Sequence, residues 1–330
     1  MRTSTEPQLS NTHRNALLRV AGWLAAAVVI VYVGRNLGQG LRDLQTQPLP
    51  EHPRWGMIAL SGSLFLVTHA ILVQTWRSVL ACWGARLPFW SAARIWSVSS
   101  LGKYVPGKIW QVGAMSAMSR ELGISPIAAS GSAILGTLVN VLAGFVVALL
   151  SGRSLLERTR PGWSGLATII VVVAGGALML APAIVPRLAP LAARLARRPL
   201  QTTLPARAVV YALLGNVIAW LLYGAAFQLL VVGVLGHATG GYLEYVAAYT
   251  LSYLFGYLAF FAPAGIGVRE FVMKQVLVTA ALATAPQAAL ITIVSRVWLT
   301  LLEVTPGFLF WAHHRARRRS LTTDPSDVPS

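Results

Sequence analysis

Acidic residues are scarce in this chain. Ten Asp and Glu stand against 27 Lys and Arg, for a net charge of +17. The only aspartates are Asp43, Asp324 and Asp327, which excludes an aspartate-rich magnesium site of the kind used in prenyl or glycosyl transfer. The single cysteine, Cys82, excludes an internal disulfide, and no Cys/His spacing suits zinc. No phosphate-binding loop is present, because Gly102-Lys103 is followed by Tyr and Gly107-Lys108 by Ile; ATP is therefore not the expected direct energy source. Charged residues of both signs make up only 11% of the 330 residues, against about 25% in a soluble domain. That shortage excludes an ordinary soluble globular protein, a disordered chain and a disulfide scaffold.

What the chain has instead is apolar: 55% hydrophobic residues and a mean hydropathy of +0.63. The apolar runs are continuous rather than alternating, which speaks for helices and against a transmembrane β-barrel. They cover 16–34, 57–76, 127–150, 163–185, 208–236 and 287–312. Each approaches or exceeds the ~20 residues that a helix needs to cross a bilayer. The first has no clear small-x-small cleavage site and reads as a membrane helix rather than a signal peptide. The basic residues lie between the runs, as in membrane topology signals, so nucleic acid is not an expected partner.

Two segments, 87–122 and 244–283, are interrupted by Pro106-Gly107 and by Pro263–Gly267. Each reads as a re-entrant hairpin of two half-length helices. The alternatives are that 245–266 and 268–283 both span, and that 88–104 lies flat on the interface with Trp90 and Trp96. Lys and Arg number three in 1–19, six in 77–121, five in 187–207 and four in the C-terminal tail. This favours both termini on the cytoplasmic side of a cell (inner) membrane. Element order and spacing match between the halves, with 20 residues from Pro106 to Pro126 and 23 from Pro263 to Pro286. The expected architecture is an all-α polytopic membrane protein, an inverted repeat of three transmembrane helices plus one re-entrant hairpin per half. Its parts are a tail (1–15), a first repeat (16–150), a second repeat (151–312) and a basic, then polar tail (313–330).

The block Ser100-Leu-Gly-Lys-Tyr-Val-Pro-Gly-Lys-Ile-Trp110, followed by Pro263-Ala-Gly-Ile-Gly-Val-Arg-Glu270, resembles the lysylphosphatidylglycerol synthase transmembrane, or flippase-like, family. The similarity in helix order covers most of 16–312. The resemblance implies movement of, or work on, lipids with charged or glycosyl head groups. One branch of that family carries a cytoplasmic synthase domain, whereas only 18 polar residues follow position 312 here. Lipid translocation is therefore carried over, and aminoacyl transfer is not.

The candidate substrate-binding residues cluster at the two breaks. Gly265 and Gly267 precede a half-helix whose N-terminal N–H groups suit phosphate, and Arg269 adds a bidentate donor beside Glu270. Lys103, Tyr104 and Lys108 flank the first break, which Pro106 and Gly107 shape, as Pro263 does the second. Arg296 and Glu303 are seven residues apart, two turns along one helix face, inside an apolar run. A charge at that depth costs on the order of 3 kcal/mol and implies a wet cavity or a partner; Glu270 is a candidate partner for Arg296. Glu270 and Glu303 are candidate proton carriers. Asn140, Asn216 and His69 read as packing residues, and Gly136, Gly144, Gly175 and Gly176 as close helix contacts. The first functional reading is a translocator of a phosphate-bearing lipid (a phospholipid, an aminoacyl-phospholipid or a polyprenyl-phosphate sugar), with no cofactor, no metal and no catalytic residue. The alternatives are a lipid-modifying transferase and a non-catalytic partner of a lipid-synthesis enzyme; homodimerisation is open.

Overall fold

In the computed structural model the described residues are 52–104, 109–159, 205–259 and 262–322, with isolated positions in 35–42 and 165–183. Nine helices are followed here: α1 (Trp55–Ala81), α2 (Phe89–Ser100), α3 (Ile109–Arg120), α4 (Pro126–Ser151), α5 (Arg153–Thr159), α6 (Ala206–Leu235), α7 (Tyr242–Leu258), α8 (Val268–Thr279) and α9 (Ala285–Thr322). Short 3₁₀ turns occupy Leu101–Tyr104 and Pro263–Gly265. No strand occurs among the described residues. Among the described residues four helices are long and apolar enough to cross a membrane: α1, α6, most of α4, and α9 as far as His313. The protein is thus an all-α, membrane-embedded chain. The runs expected at 57–76, 127–150, 208–236 and 287–312 correspond to these four. The runs at 16–34 and 163–185 lie outside the described residues apart from isolated helical positions.

Local chemistry sets the ends of the long helices. Pro126 opens α4, where its missing N–H costs nothing. Gly236 closes α6 in the left-handed conformation. The apolar stretch of α9 ends at His313, while the helix itself runs on to Thr322 in the basic tail. No Gly or Pro occurs between positions 313 and 322 to stop it, and its Arg and Ala residues are strong helix formers.

Both interrupted segments fold as two helices around a turn, α2 and α3 about the first break and α7 and α8 about the second. At 12 residues, α2, α3 and α8 are each ~18 Å long, and the 17 residues of α7 make ~26 Å. All four fall short of the ~30 Å hydrocarbon core. The two 3₁₀ turns touch each other.

α1 lies along α6 over its length. Glycine lets them approach: at Gly215 a Cβ would run into Thr75, and at Gly233 into Ile58. α4 packs on α3, α6 and α7, while α9 packs on α2 and α8. The largest buried cluster, with Phe65, Trp220, Phe227, Tyr245 and Met273, lies among α1, α4, α6, α7, α8 and α9. Of the glycines expected at helix contacts, Gly144 meets Leu254 and Trp220, whereas Gly136 and Gly176 have open space around them. Residue type alone does not say which face of a helix a glycine occupies.

The second break is tight. Gly265 has φ +71°, and a Cβ there would stand 2.6 Å from the Gly256 carbonyl oxygen of α7. Gly265→Ala should lower stability by about 2 kcal/mol through left-handed strain and overpacking. Gly113→Ala, with nothing within 4 Å of its Cβ, should leave stability unchanged or raise it by about 0.5–1 kcal/mol. Thermal unfolding of the two variants in detergent checks the contrast.

Candidate functional site

α9 brings the two breaks together. Glu303 on α9 forms an ion pair with Lys103 of the first turn and accepts a hydrogen bond from the Tyr104 hydroxyl at 3.1 Å. Two turns earlier, Arg296 lies 3.3 Å from Glu270 (Nε to Oε1) and donates from Nη2 to the Ala264 carbonyl of the second turn at 3.2 Å. The shared face expected for Arg296 and Glu303 therefore clasps one hairpin tip with each residue. Lys103 engages Glu303 rather than extending alone to an interface. Ala264 itself has φ +49°, a left-handed conformation unusual for alanine, at the tip that Arg296 holds.

Glu270 is engaged twice. Besides facing Arg296, its Oε2 accepts the Gly267 N–H at 2.6 Å, which caps α8. The sequence had offered this helix start as a set of unpaired donors for phosphate. One of those donors is already satisfied internally, so the anion-binding capacity rests more on Arg269 than on the helix end.

Arg269 is only 7% exposed. Its guanidinium lies 5.2 Å from the ring centre of Tyr249 and 4.9 Å from that of Tyr253. Its Nη2 has no hydrogen-bond partner, and no carboxylate is within ion-pair distance among the described residues. Burying an unpaired charge costs several kcal/mol. Two aromatic faces return ~2 kcal/mol or more in a desolvated setting, and Glu303 and Glu270 add longer-range attraction, but none of these satisfies Nη2.

These groups line a chamber of about 70 Å³ whose wall carries the charged residues Lys103, Arg269, Arg296 and Glu303 beside Tyr104. Gln111, Tyr253, Tyr257 and Glu303 also line a neighbouring cavity of about 240 Å³, mostly apolar, which reaches Trp76, Trp220 and Asn140. Ile134 and Leu138, on its wall, are 50% and 58% exposed on the outer surface. The charged residues are thus gathered at one end, with Glu303 alone of them reaching the wall of the neighbouring cavity.

Of the residues expected from sequence, Lys103, Tyr104, Gly265, Arg269, Arg296 and Glu303 line the chamber, with Glu270 behind Arg296 and Gly267 capping α8. Pro263 opens the second 3₁₀ turn. Pro106, Gly107 and Lys108 lie outside the described residues. Asn216 donates to the Ala212 carbonyl of its own helix at 2.7 Å, so that bond does not tie helices together. The Asn140 contact between helices is made by its backbone carbonyl, which accepts from Trp220 Nε1 at 3.1 Å. His69 is a packing residue as expected, 3.2 Å from the Ser97 hydroxyl. Sequence reasoning missed the tyrosine shelf under Arg269. Its signal was present: Tyr245, Tyr249, Tyr253 and Tyr257 recur every four residues and share one face of α7. Among the described residues no group of three His, Cys, Asp or Glu could hold a metal ion.

The Lys103–Glu303 pair is open to a double-variant test. Lys103→Met should destabilise the protein by about 3 kcal/mol, because it leaves a largely buried carboxylate uncompensated. Adding Glu303→Gln should restore most of that loss, and a thermal-unfolding cycle over the four proteins measures the coupling. Compared with known proteins, the chain matches no family model and no curated protein.

Proposed function

We propose that this protein is a lipid translocator of a cytoplasmic membrane that moves a phosphate-bearing lipid by alternating access. The observation that carries this reading is Arg269, a buried cation with an unpartnered Nη2, on the wall of a charged chamber that shares Gln111, Tyr253, Tyr257 and Glu303 with a larger, mostly apolar cavity. A phosphate oxygen is a fitting acceptor for that nitrogen, and arginine suits phosphate geometry. The apolar wall beside Ile134 and Leu138 leaves the hydrocarbon tail a route towards the bilayer.

An inverted repeat with two re-entrant hairpins is part of this proposal. Exchange α1 with α6, α2 with α7, α3 with α8 and α4 with α9. The pairing of α4 with α7 then becomes that of α9 with α2, α3 with α4 becomes α8 with α9, and the α1–α6 and tip–tip contacts map onto themselves. Such a pattern is what a two-fold axis in the membrane plane produces. Irregular backbone at both tips is compatible with membrane depth because each tip is covered by protein or lines a cavity. The loop charges favour both termini on the cytoplasmic side. Membership of the flippase-like family, which the two motif blocks suggest, is part of the same proposal. Of the two candidate proton carriers, Glu303 lines the chamber, whereas Glu270 is engaged in capping α8 and pairing with Arg296.

Transbilayer movement of labelled phospholipids and a polyprenyl-phosphate sugar in liposomes tests this reading, with and without a pH gradient. The purified protein should accelerate at least one of them, Arg269→Ala should reduce movement to the protein-free rate, and Arg269→Lys should retain part of it. Full transport by a folded Arg269→Ala protein would refute the proposal. Dependence on the gradient that disappears in Glu303→Gln would assign the coupling proton to Glu303.

A further inference from the structure

We infer that the chamber takes one net negative charge, so that its ligand is a singly charged phosphodiester lipid with an uncharged, hydroxylated head group, rather than a phosphomonoester. This deepens the phosphate-lipid reading and rests on it. The charges on and behind the chamber wall can be paired off one by one. Lys103 is matched by Glu303 and Arg296 by Glu270. Among the described residues lining the chamber, Arg269 remains as the one cation with no carboxylate partner.

In a poorly hydrated site one opposite charge is stabilised, and a second is left uncompensated. A phosphodiester brings a single negative charge. A monoester brings about 1.5 to 2 at neutral pH, and would have to take a donor away from Glu303 or Glu270. A zwitterionic head group also fits poorly, since its cation would find both nearby carboxylates engaged.

The adjoining cavity indicates what the second ester substituent is. Its wall contains no ionisable group of low or high pKa other than tyrosines and Glu303, which it shares with the chamber. Its lining includes the amide residues Gln111, Asn140 and Asn216 together with the aromatic residues Trp76, Trp220 and Tyr257. Amides donate and accept, as hydroxyl groups require, while the rings cover the less polar faces of the same group. A glycerol- or sugar-like substituent suits that lining, and a charged one does not.

Binding to the full-length protein in detergent micelles tests the inference, read by tryptophan fluorescence with short-chain lipids as probes. Dioctanoyl phosphatidylglycerol should bind at least about tenfold more tightly than dioctanoyl phosphatidic acid at about pH 8, where the monoester has lost its second proton. It should also bind more tightly than dioctanoyl phosphatidylcholine, and Arg269→Gln should abolish the difference. Glu303→Gln makes the site more positive by one charge and should narrow or reverse the preference over phosphatidic acid. Glu270→Gln makes the same change if the first variant fails to fold. Equal or tighter binding of phosphatidic acid or phosphatidylcholine by the unaltered protein overturns the inference. Binding of glycerophosphoglycerol as tight as that of the lipid overturns the lipid assignment, since the ligand would then come from water. Selective binding without transbilayer movement would refute the translocator and leave this inference standing. Movement with a preference for phosphatidic acid would do the reverse.

Discussion

Two interrupted helices can meet inside a membrane protein only if something holds their broken ends. A backbone turn at membrane depth has polar groups that lipid cannot satisfy. Here a single helix does the holding. α9 reaches the first tip through Glu303 and the second through Arg296, and the side chains that clasp the tips also form the wall of the chamber. Fold and site therefore rest on the same bonds.

Arg269 stands apart from this arrangement. The other charges near the chamber are matched by neighbours, whereas the guanidinium on α8 is held by ring faces, which stabilise a cation without neutralising it. Tyr249 and Tyr253 are in turn packed against Tyr223 and Trp220 of α6, with ring centres 5.3–5.6 Å apart. The shelf is rigid because it belongs to the largest core cluster. A charge fixed in place before a ligand arrives needs little reorganisation to bind one. That separates Arg269 from a surface arginine, whose long side chain would have to be ordered on binding.

The four long helices were legible in the sequence because hydrocarbon length and apolar runs leave little choice, and both breaks were legible because Pro and Gly interrupt otherwise continuous patterns. Arg296 and Glu303 were recognisable as unusual from burial cost alone, and the Arg296–Glu270 pairing followed from each needing a partner. The pairing of Lys103 with Glu303 was not legible, since two residues 200 positions apart meet only through the crossing of α9 over α2. Nor was the internal use of the α8 N-terminus, because a glutamate three residues into a helix reads equally as a cap or as a free group. The helical continuation of α9 beyond His313 was not part of the sequence reading, because a change from apolar to basic residues marks the end of a membrane run but not the end of a helix.

The charges on α9 have no counterpart on α4. Over Pro126–Ser151 there is no ionisable residue, and the position matched to Arg296 by aligning Pro126 with Pro286 is Gly136. If the halves are related by a two-fold axis and the protein alternates between two forms as proposed, identical halves would make the inward-open and outward-open forms superimposable by that rotation and equal in energy apart from differences between the two leaflets. Concentrating the charges in one half removes that degeneracy. The chain would then rest in one of the two forms, and its ligand would have to supply the difference in energy to reach the other.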